Sequence, residues 1–219
     1  HISFSGGSDK TKYYSSLSYS DNKGIAKQDN LKEGSASLNL NTELSRKLRL
    51  GFSLGGSYRV SSAYFGINPL DYALKTSRAI SSSLTYQIPT EILPGILGPS
   101  LDYNFLHEMK ETGNQMKDTK LNASLELNYL LIRGLKLSSL AAGSISSLNA
   151  HQYATEFSNY AANTRGYNYG SVAPGSMEEQ FSVLPFGGIL APSNSSVYTY
   201  NIRNTAEFNR SIFREDDQL

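Results

Sequence analysis

The 219-residue chain has no cysteine, no tryptophan and only three histidines. Without thiols there is neither a disulfide framework nor a thiolate metal site. His1, His107 and His151 have no histidine one helical turn away, so a histidine-held metal is not expected. Charge of one sign is missing too. Twenty Lys and Arg against 19 Asp and Glu leave a net charge of +1, which gives no electrostatic case for nucleic acid. No stretch approaches the ~20 consecutive apolar residues of a membrane-crossing helix. The marks of catalysis are equally scarce. There is no Gly-x-Ser-x-Gly elbow. The run Gly6-Gly7-Ser8-Asp9-Lys10-Thr11 lacks the Gly-Lys pair of a phosphate loop and reads as a hairpin turn. The adjacent pairs Glu178-Glu179 and Asp216-Asp217 would point to opposite faces of a strand, so they read as solvated charges and not as an acid/base couple. An enzyme is not expected, and nothing indicates a cofactor.

What the chain does have is alternation. Over residues 35–60, Ala36, Leu38, Leu40 and Leu44 fall on one face, opposite Ser35, Ser37, Asn39 and Asn41. After a short charged turn, Leu48, Leu50, Phe52, Leu54, Tyr58 and Val60 alternate with Gly51, Ser53, Gly55 and Ser57. A period of two places every second side chain on the same face of a strand, whereas a helix would scatter these leucines around its circumference. The polar face carries Ser, Asn and Gly where a soluble sheet would carry charge. The pattern recurs from Leu121 to Ile145 and again around Tyr198, Tyr200, Ile202 and Phe208.

About seven strands are expected, at residues 1–7, 10–20, 31–44, 47–60, 117–131, 134–148 and 196–213. Tight connections at 6–9, 42–47 and 131–134 alternate with long ones at 20–30, 61–119 and 148–195. Runs of about 10 residues, short turns on one side and long loops on the other are features of an antiparallel transmembrane β-barrel. The mean hydropathy of −0.37 fits such a wall, in which only alternate residues meet lipid. Tyr19, Tyr58, Tyr129 and Tyr198, at the ends of runs, suit an interfacial aromatic girdle. Strand preference alone would also place tyrosine there. His1 to Ser5 already reads as strand with no leader before it, and Arg214 to Asp217 reads as a further tight turn. Seven strands cannot close by themselves, so the expectation is a segment of a larger barrel.

The run Ser3-Phe4-Ser5-Gly6-Gly7-Ser8-Asp9-Lys10-Thr11-Lys12-Tyr13-Tyr14-Ser15-Ser16-Leu17-Ser18-Tyr19 resembles the barrel-entry signature of SusC/RagA-like TonB-dependent transporters, outer-membrane proteins of Bacteroidota. Gly24-Ile25, Leu38-Asn39-Leu40-Asn41 and the Leu48 to Leu54 strand keep that family's order and spacing. Asn68-Pro69-Leu70-Asp71-Tyr72-Ala73-Leu74, Arg165-Gly166-Tyr167 and Leu184-Pro185-Phe186-Gly187-Gly188 resemble elements of its extracellular loops. The resemblance covers nearly the whole chain. It implies a barrel of about 22 strands, with residues 1–219 a partial barrel domain lacking the plug. It also implies a SusD-like surface lipoprotein partner, energy coupling to TonB through the absent plug, contact with outer-membrane lipid, and active import of an oligosaccharide or peptide. This segment would be wall and loops. The alternatives are a passive porin or adhesin-type barrel and a soluble β-rich carbohydrate-binding module.

Binding chemistry concentrates at residues 153–169. Tyr153, Tyr160, Arg165, Tyr167 and Tyr169 are candidate substrate contacts, accompanied by Phe157, Asn159, Asn163 and Asn168. Aromatic faces stack on sugar rings, and amide and guanidinium groups satisfy hydroxyls or carbonyls. The same residues would serve to pack the loop on itself or on a partner. Two short helices are expected in the preceding loop, at 69–77 with Asn68 as cap and Pro69 in the first turn, and at 101–112.

Overall fold

Alternating sequence becomes one antiparallel sheet in the computed structural model, which describes residues 1–26, 28–93 and 96–209. Seven strands lie side by side: β1 (Ile2–Gly7), β2 (Thr11–Lys23), β3 (Asn30–Ser45), β4 (Leu48–Ala63), β7 (Thr112–Ile132), β8 (Leu135–Ala154) and β9 (Ile189–Phe208). A separate hairpin of β5 (Tyr86–Leu93) and β6 (Ile96–Tyr103) stands in the loop between β4 and β7. That loop also holds helices α1 (Pro69–Lys75) and α2 (Phe105–Glu111). The loop between β8 and β9 holds α3 (Asn159–Arg165) and α4 (Met177–Phe181). Among the described residues no helix is long and apolar enough to cross a membrane, which says nothing of strands. The turn between β7 and β8 passes through Gly134 at φ +92°, a backbone conformation that side-chain-bearing residues rarely adopt.

Register carries the expected faces across the sheet. One row runs Tyr13, Leu40, Phe52, Leu125, Ala141, Ile202, and the next Ser15, Leu38, Leu54, Ala123, Gly143, Tyr200. This apolar face is uncovered: Leu54 is 38% exposed and Tyr58 50%. It is bounded at one end by Leu48 opposite Tyr129 and at the other by the row of Tyr19, Gly34 and Tyr58. Residues 48 and 58 are ten positions apart, about 33 Å along a strand rising ~3.3 Å per residue, or about 25 Å of height at a tilt of ~40°.

The polar face is banded. Glu43 and Arg49 pair at 2.8 Å in a charged band near the short turns, with Lys12 and Glu126 one row away. A second band near the long loops holds Glu33 with Arg59 at 3.4 Å and Asp118 with Lys120 at 3.4 Å. Every pair has at least one exposed member, so each contributes no more than about 1 kcal/mol in water. Between the bands lie two rows without charge: Tyr14, Asn39, Ser53, Ser124, Ala142, Asn201 and then Ser16, Ser37, Gly55, Asn122, Ser144, Thr199. Hydroxyls there bond across strands, Ser16 to Ser37 at 2.7 Å and Ser53 to Ser124 at 2.6 Å.

Several boundaries differ from expectation. β4, β7, β8 and β9 all reach further toward the long loops, to residues 63, 112, 154 and 189. There the side chains are polar on both faces (Asn114, Gln115, Lys117 and Asp118 on β7; His151 and Gln152 on β8), so the hydropathy alternation stops while the hydrogen-bond ladder continues. Tyr153 is therefore a strand residue and not part of a loop. Pro192 lies near the start of β9, opposite His151 of β8 and beyond the apolar band. The hairpin of β5 and β6 was not expected, because Pro89, Gly98 and Pro99 interrupt its strand signal. α1 ends at Lys75 and α2 begins only at Phe105, Leu101 having joined β6. Residues 210–213 of the last expected strand, and the turn at Arg214 to Asp217, lie outside the described residues.

Candidate functional site

The buried residues are in the loops. Leu101, Phe105, Glu108, Ala161, Ala162, Arg165 and Tyr167 are buried, joined by Thr112 and Ala154 where the loops meet the sheet. Two short helices organise this cluster. Asn104 caps α2, its Oδ1 accepting from the His107 backbone N–H at 2.9 Å, while its amide donates to the carbonyls of Ser82 and Leu84. Ser158 caps α3, its hydroxyl accepting from the Ala161 N–H at 3.0 Å. Gly166, at φ +93°, ends α3 in a left-handed turn.

Glu108 joins the two loops. Its side chain is almost fully buried, with the residue only 2% exposed, and its two carboxylate oxygens accept from the backbone N–H groups of Asn159 at 2.7 Å and Tyr160 at 3.0 Å. These are first-turn donors of α3 with no partner inside the helix, so the carboxylate satisfies them and meets the positive end of the helix. Further bonds follow the same path. Thr155 N–H donates to the Glu111 carbonyl at 2.8 Å, Asn159 Nδ2 to the Asp102 carbonyl at 3.0 Å, and Asp102 N–H to Asn168 Oδ1 at 3.0 Å. Tyr72 stacks on Phe105 with ring centroids 4.0 Å apart. Burial pushes the Tyr103 phenol above its ordinary pKa, and the Glu108 carboxylate and Tyr72 push it in the same direction.

The five candidate residues are placed differently from one another. Tyr153 lies over Gly113 of β7, where an added Cβ would come within 2.6 Å of its hydroxyl oxygen. Tyr160 lies over Gly66 and beside Phe65, ring centroids 4.7 Å apart. Arg165 is 3% exposed, and its guanidinium donates to three carbonyls, of Leu184 at 3.2 Å, Glu156 at 3.0 Å and Gly187 at 2.9 Å. Tyr167 is buried and donates its hydroxyl to the Pro185 carbonyl at 3.3 Å. Tyr169 is 47% exposed, with the Arg165 guanidinium 5.2 Å from its ring and Phe157 packed edge to face at 5.0 Å. Four of the five are thus engaged in holding the loops or the strand ends, and Arg165 has its guanidinium committed to main-chain carbonyls.

Tyr169 alone of the five lines the groove between the two loops. This groove, of about 600 Å³, is bordered by Ser82 and Thr85 on one side, Asp102, Asn104, His107 and Lys110 along β6 and α2, and Phe157, Asn159, Asn168 and Tyr169 on the other. Tyr153 lines a separate space of about 460 Å³ at the strand ends, with Asn30, Asn114 and His151. Sequence reading missed Asp102 and Glu108, whose partners lie in a loop 50 or more residues on and leave no local spacing to detect, and Lys110, which lines the groove.

No protein-family model matches the chain, and no curated protein matches it. Solved structures do. The RagAB peptide importer in its closed-closed state aligns with 96% of this chain at a TM-score of 0.60 and 21% identity. A second structure of the RagAB peptide transporter aligns with 96% of the chain at 0.55 and 22% identity. The chain spans only 22% of the length of either matched chain. In fold, then, the SusC/RagA resemblance read from the sequence holds over nearly its full length: this chain has the architecture of part of a RagAB importer.

Proposed function

We propose that the chain forms part of the wall and outer loops of an outer-membrane β-barrel of SusC type that imports a peptide or oligosaccharide. In this reading import is TonB-dependent, driven through a plug, with a SusD-like lipoprotein docked on the loops. The observation that carries the reading is the uncovered apolar face. Water would not tolerate six neighbouring strands of aligned Leu, Phe and Tyr, whereas lipid would solvate them, and the height of about 25 Å matches the hydrocarbon-facing band of outer-membrane barrels. The polar face then looks into the lumen, and the loop cluster stands on the outer side, above the longer strand ends. The fold likeness to the RagAB importer supports a peptide as cargo over a glycan.

The test is to express the full-length protein that carries this chain and fractionate the cell envelope. Outer-membrane recovery, extraction only with detergent and a heat-dependent shift in gel mobility are expected. Release into buffer without detergent would instead favour a soluble module. Uptake that persists after collapse of the proton gradient would favour a passive porin.

A further inference from the structure

We propose that the groove between α2 and α3 is a subsite for a carboxylate-bearing ligand, with Lys110 as its charge partner. The inference rests on the importer reading and narrows its substrate chemistry. Several polar groups around the groove are engaged within the loops, among them His107, whose Nε2 lies 3.2 Å from the Phe157 carbonyl. Asn104, Asn159 and the Asp102 main chain bind the loops to each other, and the Asp102 carboxylate is engaged by Gln87 Nε2 of the hairpin. A second set is left over. The Lys110 ammonium has no ion pair among the described residues. Asn168 spends its Oδ1 on the Asp102 N–H while its amide N–H groups have no partner there, and the Tyr169 hydroxyl is likewise uncommitted.

The leftover set is therefore one cation and two donor groups, the Asn168 amide and the Tyr169 hydroxyl, lining a common space with Leu106 and Phe157; the Asp102 carboxylate lines it too, its Oδ1 accepting from Gln87. A cation flanked by amide and hydroxyl donors matches a carboxylate, which only accepts. It does not match a neutral sugar, which would use an aromatic platform. The Tyr169 ring, which would be that platform, already carries the Arg165 guanidinium 5.2 Å from its centroid and packs edge to face with Phe157. Two sources can present the carboxylate, the C-terminus of a short peptide and a uronic-acid oligosaccharide.

The experiment is calorimetric titration of the full-length protein in detergent with four probes. These are the pentapeptide Ala-Leu-Ser-Leu-Ala as free acid and as C-terminal amide, together with trigalacturonate and maltotriose. The wild type should bind one acid form roughly tenfold more tightly than its neutral counterpart, the scale of one charge-assisted hydrogen bond. Which pair shows the difference identifies the source. Lys110→Gln should abolish the difference and Lys110→Arg should keep it. Equal binding of acid and neutral probes, a preference that survives Lys110→Gln, or no binding of any probe would overturn the subsite. Each of those results leaves the importer reading standing, because that reading is decided by envelope fractionation and uptake.

Discussion

An arginine at Leu54 should destabilise the folded protein more than the same residue toward either end of the apolar band on its strand. The apolar band runs from residue 48 to residue 58 on β4, so its middle falls at residue 53 and Leu54 lies one position away. At about 2.5 Å of height per residue, Leu50 is about 7 Å from the middle and Leu48 about 12 Å, at the girdle beside Tyr129. An arginine facing lipid costs about 2–4 kcal/mol at the midplane and about 0–1 near the interface. Leu54→Arg should therefore cost about 3 kcal/mol, Leu50→Arg about half of that, and Leu48→Arg under ~1 kcal/mol. Asn39→Ala, on the opposite face, should be close to neutral. The assay is urea unfolding of the full-length protein in lipid vesicles, followed by heat-dependent gel mobility. Equal costs at 54 and 48 would refute the depth assignment. A cost at Asn39 larger than at Leu54 would refute the facing itself.

The remaining predictions concern loops and turns. Glu108→Ala should strand the Asn159 and Tyr160 N–H groups and cost the loop cluster about 2–3 kcal/mol, seen as faster hydrogen exchange in α3 with heat-dependent mobility of the barrel unchanged. Arg165→Lys cannot reach all three carbonyls with a single ammonium, so proteolysis within residues 182–188 should accelerate at least several-fold, in contrast to an exposed control such as Lys75→Arg. Gly134→Ala should lose about 1–2 kcal/mol by forcing a Cβ into a left-handed turn, read as slower refolding into vesicles. Because the folded Tyr103 phenol titrates above its unfolded value, its contribution is complete below about pH 10 and is lost as pH rises toward the folded pKa. Exchange protection in α2 should fall over that range, and Tyr103→Phe should remove this pH dependence.

The wall was legible in the sequence because each strand carries its own two-residue period. Leu38, Leu40, Phe52 and Leu54 announce their face without reference to any neighbour, and the tight turns fix which strands pair. Strand ends beyond the apolar band were not legible. Asn114 and His151 sit in a continuing ladder with polar surroundings on both sides, so nothing in their side chains separates strand from loop. The loop cluster was legible only in fragments. Asn68 signalled a helix start locally, whereas the Asn104 cap was not picked out and the Glu108 link to Asn159 joins segments 51 residues apart. Arg165 shows the same limit from the other side. Its company of tyrosines suggests recognition of a ligand, and only the folded loop reveals that its donors are spent on main-chain carbonyls.

The two uncharged rows across the polar face have a mechanical consequence. A surface made of hydroxyls and amides spaced a few ångströms apart offers a moving neighbour one hydrogen bond as it gives up another, with each exchange small against thermal energy or only a few times larger. No ion pair has to be broken along that stretch, because the charges stand above and below it. Whatever lies against the middle of the wall would meet no fixed charge there and would shift by exchanging one hydrogen bond at a time.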